Sequence, residues 1–94
     1  MREARLTITH PAGLHARPAA LLVRTAARFD AAIRLTNLTR NPLRDADAKS
    51  ILSLMTLGVE HDHIILIRAD GPDEDAAIIA LSSLIERGLD EVAP

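Results

Sequence analysis

The chain has 94 residues, 48% of them hydrophobic, with a formal net charge of −2, no cysteine and Phe29 as its one aromatic residue. That length suits one domain with a modest core filled by Leu, Ile, Val and Ala, and the hydrophobic fraction is too high for a disordered tail. The absence of a basic block and of Trp or Tyr disfavours nucleic-acid binding, and the lack of cysteine excludes disulfides, thiol catalysis and cysteine-bound metals. No apolar run nears the roughly 18 residues of a membrane span and no signal-peptide core opens the chain, so no membrane insertion and a cytoplasmic location are expected.

Residues 3–9 alternate, with Ala4, Leu6 and Ile8 on one side and Arg5, Thr7 and Thr9 on the other, which predicts a half-buried strand. His10-Pro11-Ala12-Gly13 turns the chain. From Ala16 to about Phe29 the spacing becomes helical. Pro18, Leu22, Ala26 and Phe29 form a stripe flanked by Ala19 and Val23, and Arg24 and Arg28 lie toward the end where the helix dipole favours cations. Pro18 is tolerated only in a first turn, which sets the helix start near Ala16 and makes His15 the N-cap. Ala31 to Thr36 reads as a second strand with Ile33 and Leu35 inward. Asn41-Pro42 marks a turn, and Asp45 to Ala48 reads as a short third strand.

Ser50 to Gly58 reads as a short helix capped by Ser50 and stopped by Gly58. His63 to Ala69 is the fourth strand, with Ile65, Ile67 and Ala69 inward. The last helix is expected from Asp73 to Arg87, its acidic start and basic end matching the dipole and its buried stripe made by Ala77, Ile78, Leu81, Leu84 and Ile85. Gly88 ends it, and residues 89–94 are expected to form a mobile tail of the single domain 1–94. Helices with one apolar stripe each pack on one face of a sheet, so the expected architecture is a two-layer α+β sandwich in the order βαββαβα.

The chemistry concentrates at Gly13-Leu14-His15-Ala16-Arg17-Pro18-Ala19-Ala20. An imidazole at a helix foot lies among the free N–H groups of the first turn, which with the dipole attract an anion. Arg17 adds a permanent charge suited to phosphate oxygens. These parts suit a histidine that accepts a phosphoryl group, a known form of nucleophilic catalysis. From the trio alone, an ordinary polar cap with an exposed arginine nearby explains the pattern as well.

Two stretches decide between these readings. Gly13-Leu14-His15-Ala16-Arg17-Pro18-Ala19 resembles the active-site signature of HPr, the histidine-containing phosphocarrier family of the phosphoenolpyruvate-dependent sugar phosphotransferase system. Lys49-Ser50-Ile51-Leu52-Ser53-Leu54-Met55-Thr56-Leu57-Gly58 is similar to that family's second signature, and the likeness runs from about Glu3 to Gly88. It implies an open-faced sandwich: a four-stranded antiparallel sheet with three helices on one face. It further implies a stoichiometric carrier, not an enzyme, working as a monomer without cofactor or metal. His15 would take a phosphoryl group on Nδ1 from enzyme I and pass it to enzyme II A components. Arg17 would stabilise that group, together with the backbone of Ala16 and Arg17.

In many Gram-positive members of the same family the serine matching Ser50 is phosphorylated by a dedicated kinase, a change that a phosphorylase reverses and that weakens docking to enzyme I; the plainer alternative is that Ser50 simply caps the short helix. The matching docking residues are Ile51, Leu52 and Met55, with Ala20 and Arg24 extending the patch; periodicity turns Leu54 and Leu57 to the core. The alternatives are a regulatory binding protein on the same fold, or a carrier for a nitrogen-related or dihydroxyacetone branch.

Three departures stand out. Ala12 offers no polar side chain where many relatives have Asn or Ser. The connection from Asn37 to Ala48 is about four residues longer than the relatives' tight hairpin. Ile64 and Leu66 point to the open sheet face; either the longer connection folds Leu38, Pro42 or Leu43 over them, which is the favoured expectation, or that face meets another protein. His61 and His63 have the look of a metal pair, but no further ligand cluster accompanies them and Asp62 is expected to point the other way, so no metal site is assigned.

Overall fold

The computed structural model describes residues 1–89. Its elements are β1 (Arg2–Thr7), α1 (Ala16–Ala26), β2 (Ala32–Asn37), β3 (Asp45–Asp47), α2 (Ile51–Met55), β4 (Ile64–Asp70) and α3 (Glu74–Glu86). The strands form one antiparallel sheet in the order β1-β4-β2-β3. With helices on one side of the sheet, this is the expected open-faced α+β sandwich.

Alternation positions the layers. Ile33 and Leu35 pair with Ala69 and Ile67 across β2 and β4, and Ala4 and Leu6 pair with Ile67 and Ile65 across β1 and β4. These inward side chains meet Leu22 and Ala26 of α1, Leu54 of α2, and Ala77, Ile78, Leu81, Leu84 and Ile85 of α3 in one core. Each fully buried Leu or Ile contributes about 1.5–3 kcal/mol by removal from water. No helix among the described residues is long and apolar enough to cross a membrane.

Several details differ from expectation. Helix α1 ends at Ala26 and not Phe29, because the amides of Arg28 and Phe29 donate to Thr25 and Ala26 three residues back, tightening the last turn out of α geometry. Asp73 stands at the N-cap of α3 but does not cap it. Its carboxylate instead accepts the amides of Asp30 and Ala31, both at 2.8 Å, and so ties the α1–β2 turn to the start of α3. The N–H of Asp30, then burial-opposed help from that of Ala31, holds the Asp73 carboxyl below its ordinary range. Lys49 Nζ donates to the Phe29 carbonyl at 2.6 Å from the other side of the same turn.

Leu89 is not part of a free tail. It is buried, and its amide donates to the Leu84 carbonyl after Gly88 and Leu89 both take positive φ. Residues 90–94 of the expected tail lie outside the described residues.

The long connection also departs from expectation: Pro42 and Leu43 do not fold over the open face. Leu43 is 97% exposed, Pro42 is exposed, and Ile64 stays 44% exposed, while Leu38 and Leu66 are half-buried. The cause is Asn37. Its side chain points inward, where Nδ2 donates to the Leu57 carbonyl at 3.2 Å, and Oδ1 accepts the amides of Thr39 and Arg40. The chain therefore turns toward the end of α2, and Arg40 lies against Gly58. On the open face Asp45 bridges Arg34 (2.8 Å) and Arg68 (3.1 Å), two cations placed opposite each other by the register. The hydrogen bond from Arg34 is what chiefly lowers the Asp45 carboxyl's affinity for its proton.

Candidate functional site

The approach to α1 is held from below. The His10 carbonyl accepts the Gly13 amide at 2.9 Å, and the Ala12 amide donates to His10 Nδ1 at 3.0 Å, closing the turn without any side-chain contribution from Ala12. Gly13 takes φ 64 and passes so close to the next loop that a methyl group there would lie 2.2 Å from the Val59 carbonyl oxygen. Leu14 then plugs into the core, 1% exposed, with its amide donating to that same carbonyl at 2.9 Å.

His15 emerges from this clamp in extended conformation (φ −121°, ψ 152°) and is exposed. It occupies the N-cap position, as expected, but its imidazole makes no capping hydrogen bond. The next residue explains this. Ala16 adopts φ 48°, a left-handed conformation that breaks the regular entry into the helix on which side-chain capping depends. For a residue with a Cβ that conformation costs about 1–2 kcal/mol. The core anchorage of Leu14 and Pro18 on either side sustains it. Among the described residues the His15 ring has no hydrogen-bond partner.

Arg17 is exposed on the first turn, and Pro18 is buried beneath it. The amides of Ala16 and Arg17 belong to that turn and have no acceptor within the helix. A groove of about 460 Å³ runs beside them, with Arg17, Ala20, Arg24, His10 and Leu89 in its walls. The structure thus brings together three residues singled out by sequence (Arg17, Ala20, Arg24) and adds His10 and Leu89, which were not. His10 was legible only as a loop residue, and Leu89 belonged to the supposed tail.

The second motif lies on α2, which packs against α1. Ser50 is half-buried at the N-cap, and its Oγ accepts the Ser53 amide at 3.3 Å. Ile51 (36%), Leu52 (76%) and Met55 (42%) are exposed beside it, whereas Leu54 and Leu57 are in the core, as the periodicity predicts.

The histidines at 61 and 63 do not work as a pair. His63 Nδ1 accepts the Glu60 amide and adjoins Asn37 Nδ2, both at 3.1 Å. His61 Nε2 lies 3.1 Å from Asp62 Oδ1, so Asp62 turns back toward His61 and not away; its positive φ of 69° permits this. The Asn37–His63 contact was missed in the sequence, although Asn37 continues the inward alternation of Ile33 and Leu35 and was the one polar residue to do so.

Chemically, an exposed imidazole with unengaged nitrogens, on the same helix foot as a guanidinium and first-turn amides, can serve as a nucleophile toward an anionic electrophile.

The comparisons with known proteins agree in direction. Residues 2–87 match the family model described as PTS HPr component phosphorylation site. The chain is 40% identical over 91 residues to phosphocarrier protein HPr of Xylella fastidiosa, covering 97% of this chain and 98% of that one. It is 42% identical over 88 residues to the multiphosphoryl transfer protein of Vibrio cholerae, where 94% of this chain matches 22% of that longer protein. Among solved structures, HPr-C-His from Thermoanaerobacter tengcongensis superposes with a TM-score of 0.87 at 40% identity, covering 98% of this chain and 100% of that one.

Proposed function

The chain belongs to the HPr family, phosphocarriers of the phosphotransferase system, and on that premise we propose that His15 is its phosphoryl acceptor. The observation that carries this reading is the exposed His15 ring, free of protein partners among the described residues, at the foot of α1. The neutral imidazole attacks phosphorus through Nδ1 as the bond from phosphorus to the enzyme I donor breaks. Nε2 keeps its proton, and the product is a phosphoramidate. Arg17 and the amides of Ala16 and Arg17 offset the charge brought to the helix foot. Reversal of the same step delivers the group to an enzyme II A component, so the chain acts once per phosphoryl group as a carrier.

Incubation with phosphoenolpyruvate and catalytic enzyme I tests this. Acid-labile phosphate should appear on the native chain and not on His15→Ala; labelling that survives the substitution overturns the assignment.

A second reading concerns Ser50. Its place at the start of α2, next to exposed Ile51 and Leu52, supports regulation by a serine kinase whose phosphate repels or displaces a docking partner. The Ser50 hydroxyl already caps Ser53, so phosphorylation keeps an acceptor at the helix start while adding charge to the docking patch. Treatment with a purified kinase of that type and ATP, followed by mass spectrometry, should show one phosphate on Ser50 and a raised KM toward enzyme I. An unmodified serine would refute it.

A further inference from the structure

The long connection after β2 creates a feature that the phosphoryl site does not use. Arg40, Asn41 and Arg44 line a cleft of about 170 Å³ together with Asn37, Thr56 and Leu57. Both arginines are exposed, and among the described residues neither guanidinium has an ion-pair or hydrogen-bond partner. No acidic residue is in the lining. The backbone that carries the arginines is held at several points. Asn37 Oδ1 accepts the amides of Thr39 and Arg40, Asn41 Oδ1 accepts that of Leu43, and Gly58 leaves room for Arg40, since a methyl group there would lie 2.6 Å from Arg40 Nη1.

A helix end that exposes carbonyls would repel an anion. Here α2 has only five residues, and Asn37 Nδ2 donates to the carbonyls of Leu57 (3.2 Å) and Gly58 (3.5 Å), which removes much of that repulsion. Thr56, which lines the cleft, follows Met55 in the chain, so two arginines stand at the C-terminal end of the helix that carries the exposed Ile51, Leu52 and Met55.

We propose that this cleft receives a carboxylate side chain from the protein that docks on α2, making Arg40 and Arg44 specificity-determining residues for that encounter. Paired guanidinium groups suit carboxylate oxygens, and unpaired charge at the rim of an apolar contact acts on encounter and partner choice. The proposal rests on the carrier reading above and adds the chemistry of the partner's surface.

The test is phosphoryl transfer from enzyme I and phosphoenolpyruvate at varied carrier concentration and salt. The double variant Arg40→Gln/Arg44→Gln should raise KM roughly three- to tenfold with kcat held, and should flatten the rise of KM with salt. The double variant Arg40→Lys/Arg44→Lys should recover most of the native KM. Arg5→Gln, which removes one positive charge from the exposed sheet face, should leave KM and its salt dependence alone. If the glutamine double variant is labelled with native KM and native salt dependence, the cleft plays no part and the proposal fails while the carrier reading stands. If the native chain takes no label at all, the carrier reading falls and the cleft proposal with it.

Discussion

The two ends of α1 use their polar groups in opposite ways. At the C-terminal end, side chains from elsewhere tie down the backbone of the turn: Asp73 accepts the amides of Asp30 and Ala31, and Lys49 donates to the Phe29 carbonyl. At the N-terminal end, His15 makes no cap, Ala16 is held in a left-handed conformation, and two first-turn amides have no helix acceptor. The first arrangement fastens three elements together. The second spends conformational energy to keep an imidazole and two amide donors uncommitted, which is the pattern expected where strain and function coincide.

Substitutions at each end should separate along that line. Arg17→Ala should give the largest change, lowering the rate of phosphoryl acceptance from enzyme I about 10²- to 10³-fold with unchanged thermal stability, the scale of losing one charge-stabilising donor. A matching drop in melting temperature would show that Arg17 is structural. Gly13→Ala should be the most damaging to the clamp below the site. The added methyl meets the Val59 carbonyl and the backbone at Glu60, so a loss of about 3 kcal/mol or more is expected in denaturant unfolding.

At the opposite end, Asp73→Asn should weaken the fold yet leave phosphoryl acceptance at the native rate. It should also change the acid limb of stability. The folded Asp73 carboxyl is held below its usual value, so its contribution is complete above the unfolded pKa of about 3.9 and is lost as pH falls through the lower folded value. The native chain should therefore lose more stability than Asp73→Asn between pH 5 and the acid end of that window (roughly the carboxylate range), as read by urea midpoints. Equal acid slopes would mean that the carboxylate does not fasten the turn. The smallest effect belongs to Ala16→Gly. Release of left-handed strain, less the flexibility glycine adds to the unfolded chain, should stabilise by about 0.5 kcal/mol, and faster or slower transfer would then report how far the strain serves His15.

Much of this was legible in the sequence because the signals are local. Leu22 and Ala26 repeat with the helix, Ile65, Ile67 and Ala69 with the strand, and the stripe from Ala77 to Ile85 is buried as its spacing predicts. The site's central residues, His15 and Arg17, were visible for the same reason: the short motif and Pro18 place them on one turn. What was hidden depends on distant partners. The path of residues 38–44 follows from Asn37 reaching Leu57, Gly58 and His63, 20 to 26 positions away. The left-handed Ala16 follows from anchors on both sides, and no alanine signals that conformation in advance. Leu89 enters the core only because the chain reverses at Gly88.

The most direct measurement is phosphorus-coupled nitrogen NMR on the chain after reaction with phosphoenolpyruvate and catalytic enzyme I. The account predicts one phosphoramidate signal, coupled to Nδ1 of His15 and absent from His15→Ala. A phosphoramidate on His10, His61 or His63, or one that persists in His15→Ala, would contradict it.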